Sequence, residues 1–199
     1  MLEFTDDNRF FKPLVVALTG LYSYSTMRNA QINGHASGVR HGEKAVIFGK
    51  QTSGVQLSIE LADFLDPVSR NQWPEKIIFE EDVLDEPEKA PGTMATGGMG
   101  ITWSLMGHCY LTYFEHLSDL IENAEGRDWT RWSKEIWKFG YQTRNAVAHS
   151  GEVYFKNPNA PNVNWRNLTY SPQDNGKRIF DDIGVVEFIL LMNELDTSV

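Results

Sequence analysis

One short segment of this sequence combines residue types that can act on a phosphate ester. It reads Arg144-Asn-Ala-Val-Ala-His149-Ser-Gly. If the segment is helical, Asn145 and His149 share one face about 6 Å apart along the axis, because they are four residues apart. Arg144 lies one position round the helix, and its long side chain can reach the same patch. We therefore treat Arg144, Asn145 and His149 as candidate catalytic residues.

The chemistry that suits these three side chains is cleavage of an RNA phosphodiester. Histidine can take a proton from a ribose 2′-hydroxyl or give one to the leaving 5′-oxygen near neutral pH. Arginine presents a fork of donors that matches phosphate oxygens and stabilises developing negative charge. Asn145 could orient the imidazole or bind a phosphate oxygen. No metal ion is needed when the nucleophile is the substrate's own hydroxyl, and we expect no cofactor.

A group of basic residues precedes this segment and is predicted to lie upstream on the same helix. These side chains could bind phosphates that flank the scissile one, so they are candidate substrate-binding residues: Arg127, Arg131, Lys134 and Lys138.

The elements that must position these residues are mostly helical. Apolar residues recur every three or four positions in several segments, which is typical of amphipathic helices. Gly151 directly follows the segment that ends with His149 and is expected to cap it. The predicted helices cover residues 10–30, 54–65 (stopped by Asp66-Pro67), 100–123, 128–150 and 179–195.

The remaining segments are predicted to be loops with one β excursion. Residues 33–43 are expected to form a loop, and residues 70–100 an acidic, Pro- and Gly-rich connection. Two short extended segments, 152–155 and 163–170, flank an Asn- and Pro-rich loop and suggest a hairpin. The prediction is one domain over residues 1–199 that is mainly α, with a small β-hairpin excursion near the C-terminus.

The Arg144/His149 pattern resembles the Arg-x(4–6)-His motif of the HEPN superfamily, the higher eukaryote and prokaryote nucleotide-binding domains. Asn145 matches the polar residue that often follows the arginine, and the downstream segment is similar to a plasmid- and genome-borne branch in Trp165, Tyr170 and the turn 174–176. The resemblance covers roughly residues 100–199. It implies a helical bundle and a homodimer that brings two motifs into one cleft. It also implies a metal-independent endoribonuclease in a toxin–antitoxin or phage-defence setting, with RNA as substrate and an antitoxin protein as a possible partner.

Other interpretations of the same residues remain open. His149 could simply cap the last helical carbonyls, and Arg144 could pair with a carboxylate elsewhere. The chain would then be a non-catalytic HEPN-like module that binds RNA, a nucleotide or a protein. Trp165 and Tyr170 could stack on bases, or pack a hairpin onto the helices. His116 and Asp119 have the spacing of neighbours on a helix, but no closed set of metal ligands accompanies them.

Composition excludes some classes of protein. The chain has 199 residues and a formal net charge of −9, which argues against a broad basic face that coats DNA. No apolar run approaches the ~20 residues of a membrane-spanning helix, and no basic region precedes an apolar stretch at the start. The single Cys109 is expected in the core. We expect a cytoplasmic protein with no membrane contact.

Overall fold

The computed structural model describes residues 1–33, 44–49, 54–70, 72–83 and 97–199. Within them lie five α-helices: α1 (Phe11–Asn33), α2 (Leu61–Ser69), α3 (Gly97–Glu125), α4 (Glu135–Ala148) and α5 (Val185–Asp196). The strands are β1 (Leu2–Thr5), β2 (Lys44–Phe48), β3 (Val55–Glu60), β4 (Lys76–Val83), β5 (Val163–Trp165) and β6 (Leu168–Tyr170). Short 3₁₀ turns cover Trp129–Arg131, Pro172–Asp174 and Ile179–Asp181.

A four-stranded antiparallel sheet makes this a mixed α/β fold, so the prediction of a mainly α bundle was wrong. The strands lie in the order β1-β4-β3-β2, and β5 and β6 form a separate two-stranded sheet. One face of the larger sheet is apolar and buried, including Leu57 and Ile59 of β3 and Ile77 and Phe79 of β4. The alternation of buried and exposed residues along β4 is the period of a half-buried strand.

The sheet was missed because its strands lie in segments that carry helix-like or loop-like signals. The predicted helix over 54–65 is instead β3 followed directly by α2, which continues past Pro67 to Ser69. The predicted acidic connection over 70–100 contains β4, in which Glu80 and Asp82 are tolerated because they lie on the solvated face. There Glu80 forms an ion pair with Lys44 of β2 at 2.6 Å. Residues 71 and 84–96 of that connection, and 34–43 of the predicted loop, lie outside the described residues.

Helix α3 lies at the centre of the helical part and contacts α1, α4 and α5. Two glycines allow α3 and α4 to approach closely. A Cβ at Gly107 of α3 would lie 2.9 Å from the Val147 side chain, and one at Gly140 of α4 would lie 2.8 Å from the Phe114 ring. Both distances are shorter than normal contacts, so side chains at these two positions would push the helices apart.

The β5–β6 hairpin packs against α4 through its aromatic side chains. The Phe139 ring stacks on Tyr170 with centroids 5.6 Å apart, and it contacts Trp165 at 5.5 Å. Trp165 and Tyr170 are both buried. They pack the hairpin onto the helix, which is the structural interpretation of these residues rather than base stacking.

Cys109 lies on the buried side of α3, as predicted. Burial raises the pKa of its thiol to about 12. In the part of the chain that the structure describes, no helix is both long enough and apolar enough to cross a membrane.

Gly140→Ala is expected to destabilise the protein by up to about 2 kcal/mol. Overpacking against Phe114 and Leu195, both buried, costs about 1–3 kcal/mol. The better helix propensity of alanine offsets about 1 kcal/mol of that cost. Gly100→Ala in α3 is the matched control, because a Cβ there meets no atom within 4 Å. Urea unfolding of both variants measures the difference, and equal stabilities would contradict the close approach.

Native protein is expected to resist alkylation at Cys109, because only the thiolate reacts and its pKa lies far above neutral pH. Iodoacetamide labelling at pH 8, followed by mass spectrometry, measures this. Labelling should become complete once urea unfolds the chain. Rapid labelling of the folded protein would show that the thiol is accessible.

Candidate functional site

His149 occupies the position at which α4 ends and the chain reverses. The helix ends earlier than the predicted residue 150, because Ser150 and Gly151 both adopt left-handed backbone conformations with φ of 63° and 84°. The Gly151 N–H donates to the carbonyl of Ala146 at 2.8 Å, which satisfies one of the last helical acceptors. Gly151 thus caps the helix as predicted. A Cβ there would collide with the Phe180 ring, so glycine is required on two counts.

The segment after Gly151 is held by the chain that leads to α5. The Val153 N–H donates to the Lys177 carbonyl at 2.8 Å, and the Gly176 N–H donates to the Val153 carbonyl at 2.9 Å. The Asn175 side chain binds both backbone groups of Phe155: its Oδ1 accepts from the N–H at 2.6 Å and its Nδ2 donates to the carbonyl at 3.1 Å. The predicted Asp-Asn-Gly turn therefore clamps the backbone next to His149.

The pairing of residues 152–155 with the chain around Asn175 shows that the predicted hairpin was wrong in its partners. The two extended segments 152–155 and 163–170 do not pair with each other as expected. The hairpin forms within 163–170, where Val163 pairs with Tyr170. Residues 152–155 pair instead with the Asp-Asn-Gly turn and the residues after it.

The His149 imidazole is exposed at the edge of a shallow groove. Its ring contacts Tyr154, with centroids 5.4 Å apart and planes at 49°. Among the described residues, none forms a hydrogen bond with the imidazole nitrogens. The backbone N–H of His149 donates to the Asn145 carbonyl at 3.0 Å, which anchors the residue. The groove has a volume of about 370 Å³ and is lined by Ala148, His149, Ser150, Glu152, Val153, Tyr154 and Gly176.

Arg144 is engaged with α3 rather than with His149. Its Nε donates to Glu115 Oε1 at 2.8 Å, and its Nη2 contacts the same oxygen. Its Nη1 donates weakly to Asn145 Oδ1 at 3.4 Å. The structure therefore brings Arg144 and Asn145 together, and no hydrogen bond joins either side chain to His149 within the described residues. The Arg144 and Glu115 side chains are 34% and 54% exposed, so solvent screens the pair and it contributes at most about 1 kcal/mol.

Of the four predicted substrate-binding residues, Lys138 lies on α4 with Arg144 and the other three precede the helix. Helix α4 begins at Glu135, so Arg127 and Arg131 precede it instead of lying on it. Lys134 binds the Ser198 carbonyl and lies 4.6 Å from the Trp137 ring. The 1.5 Å rise per residue places Lys134 about 20 Å from His149, at the other end of the helix.

Two of these four cations pair with carboxylates. Lys138 binds Glu135 at 2.8 Å and Arg127 lies 3.7 Å from Glu122. The exposed Arg131 has no ion pair with another described residue.

Three exposed residues near His149 were missed by the sequence analysis. Glu152 and Tyr154 line the groove, and Arg178 pairs with Glu152 across an isolated antiparallel bridge. The alternation of exposed Glu152 and Tyr154 with buried Val153 and Phe155 was a readable signal that two side chains share one outer face. Nothing in the sequence indicated that Arg178 lies opposite them.

Comparisons with protein-family models, curated proteins and solved structures find no significant match to this chain. The resemblance to HEPN proteins thus rests on the residues that carry it. Within the described ranges, no group of three or more His, Cys, Asp or Glu side chains is arranged to hold a metal ion.

Asn175→Ala is expected to loosen the segment next to His149 and to cost about 1–3 kcal/mol, since two hydrogen bonds to Phe155 are lost. Amide hydrogen exchange at Phe155 should accelerate at least tenfold. Asn162→Ala, in the exposed loop before β5, serves as the control and should leave that exchange rate unchanged. Unchanged protection in Asn175→Ala would show that the clamp does not hold this segment.

Proposed function

We propose that this chain is a metal-independent endoribonuclease of HEPN type that acts in the cytoplasm, with His149 as its general acid/base. The observation that carries the proposal is the exposed imidazole of His149. It lies on a groove and is anchored through its backbone. None of the described residues forms a hydrogen bond with its nitrogens. A histidine that served only to cap α4 would direct its side chain to the last carbonyls, and here the backbone N–H makes those contacts instead.

In the proposed reaction the ribose 2′-oxygen attacks phosphorus and the bond from phosphorus to the 5′-oxygen breaks. The products are a 2′,3′-cyclic phosphate and a 5′-hydroxyl. One imidazole takes the 2′-hydroxyl proton, and an imidazolium gives a proton to the leaving oxygen. A homodimer that brought two copies of His149 into one cleft would supply both groups, which is the arrangement that the HEPN resemblance implies.

Arg144 would stabilise the charge that develops on the phosphate oxygens, and Asn145 would position it. Arg144 is bound to Glu115, so the proposal requires a phosphate to compete with that carboxylate. Phosphate and carboxylate oxygens accept from the same guanidinium fork. Because the Arg144 and Glu115 side chains are partly exposed, a phosphate can replace the carboxylate on Arg144 without opening the core. The setting proposed is a toxin or phage-defence system, with an antitoxin protein as its partner.

The Arg144–Glu115 ion pair also favours a second candidate function. In a non-catalytic HEPN-like module, Arg144 would serve only to join α3 to α4, and the exposed surface around His149 would bind RNA, a nucleotide or a protein. The net charge of −9 is compatible with this alternative, because an enzyme that acts on long RNA usually has a more positive surface.

Cleavage of end-labelled tRNA and mRNA in EDTA tests the proposal. Wild type is expected to produce 2′,3′-cyclic phosphate ends, and His149→Ala should lower the rate by about 10²–10⁴-fold, the range for loss of a general acid/base. Arg144→Ala should lower it to a similar degree.

His116→Ala is the matched control, because this histidine is also exposed but lies on α3 outside the groove. Thermal unfolding should show that all variants fold. Cleavage by His149→Ala at the wild-type rate would contradict its catalytic assignment. No cleavage by folded wild type would favour the non-catalytic module.

A further inference from the structure

The chain next to His149 presents two exposed side chains on a rigid extended backbone. Residues 152–155 alternate, with Val153 and Phe155 at 2% and 3% exposure and with Glu152 and Tyr154 facing solvent. The hydrogen bonds to Lys177, Gly176 and Asn175 hold this backbone along one edge. Glu152 and Tyr154 therefore project to the same side as fixed groups of the groove, and loop motion need not bring them together.

Tyr154 is suited to stack on a planar ligand. The residue is 47% exposed, so much of its ring surface is open to a ligand. The His149 ring contacts Tyr154 at a centroid distance of 5.4 Å, which is too short for another ring to enter between them. A base would therefore stack on the open face of Tyr154, directly beside the imidazole. Stacking on aromatic side chains is a general way to hold an unpaired RNA base.

Glu152 adds two acceptor atoms to this platform. Its carboxylate is exposed and has no ion pair with another described residue. A carboxylate accepts hydrogen bonds and donates none. Among the four bases, guanine alone presents two adjacent donors, N1–H and N2–H, on its Watson–Crick edge. On the same edge of adenine and cytosine, the amino group lies next to an acceptor nitrogen. In uracil one N–H lies between two carbonyls. Each of these bases would therefore bring an acceptor atom towards the carboxylate.

Arg178 supplies a cation at the same place. It lies opposite Glu152 in the antiparallel bridge, so both side chains project from one face of the pairing. It is exposed and forms no ion pair with Glu152 or with another residue in the described ranges. Arg144, by contrast, is occupied by Glu115. Arg178 can thus bind the phosphate attached to a nucleotide whose base lies on Tyr154.

We infer that this groove is a guanine-binding subsite of the RNA site, in which Tyr154 stacks on the base, Glu152 accepts from N1–H and N2–H, and Arg178 binds the adjacent phosphate. The inference deepens the proposed function, because it names the nucleotide beside the bond to be cleaved. Its binding step does not depend on whether cleavage occurs.

Binding of the four nucleoside 3′-monophosphates to the full chain, measured by NMR titration, tests the subsite. Guanosine 3′-monophosphate is expected to bind at least tenfold more tightly than the adenosine, cytidine and uridine compounds. Glu152→Gln should remove that preference, because an amide replaces one acceptor oxygen with a donor. Glu75→Gln, an exposed carboxylate outside the groove, should leave it unchanged.

Variants of the other two residues separate stacking from phosphate binding. Tyr154→Leu should weaken the binding of all four nucleotides at least fivefold, whereas Tyr154→Phe should retain wild-type affinity. Arg178→Ala should weaken the binding of guanosine 3′-monophosphate and leave the binding of guanosine, which has no phosphate, unchanged. All of these positions are exposed, so the variants should fold, and their thermal unfolding checks this.

Equal affinity for the four nucleotides, or a guanine preference that survives in Glu152→Gln, would overturn the subsite. Cleavage by the wild-type protein of RNA substrates with and without guanine distinguishes the two proposals. If wild type cleaves guanine-free RNA equally well and shows no binding preference, the ribonuclease stands and the subsite is wrong. If guanosine 3′-monophosphate binds as expected but no RNA is cleaved, the subsite stands and the catalytic proposal is wrong.

Discussion

The close approach of α3 and α4 positions the helix end from which the candidate site is built. It depends on Gly107 and Gly140, which have no side chain at the points where the helices meet Val147 and Phe114. At this separation the guanidinium of Arg144 reaches Glu115 on α3. The same packing fixes the direction in which α4 ends, and so the place at which His149 leaves the helix. Wider packing would displace the site as a whole.

At the end of α4, the Phe180 ring packs the turn at Gly151 against the core. It packs against Gly151, where any Cβ would collide with it, and it contacts Trp103 of α3 with ring centroids 4.5 Å apart. Tertiary packing on one side and hydrogen bonds from Asn175 on the other thus hold a segment that has almost no regular secondary structure. Rigid support of this kind is what a binding or catalytic site requires, since exposed side chains are positioned precisely only when their backbone is fixed.

The charge of the whole chain is a poor guide to the charge at the site. Part of the negative charge lies on the solvated face of the larger sheet, where Glu80 and Asp82 of β4 accept from Lys44 of β2 and Gln56 of β3. Near His149 the cations Arg144 and Arg178 lie beside the carboxylates of Glu115 and Glu152, so the local charge is nearly balanced. A net charge of −9 therefore excludes a broad basic surface but is compatible with local binding of one phosphate.

Local signals in the sequence determined the helices around the site and the manner in which α4 ends. The apolar repeat around Cys109 predicted α3, and Gly151 predicted the cap, because periodicity and backbone preference are properties of neighbouring residues. The strands β3 and β4 were not predicted, since their pairing and their solvated acidic face depend on residues far apart in the chain. Tertiary structure alone decided that Arg144 binds Glu115 and that Arg178 lies opposite Glu152. These partners are separated by many residues, and only the packing of helices and the return of the chain bring them together.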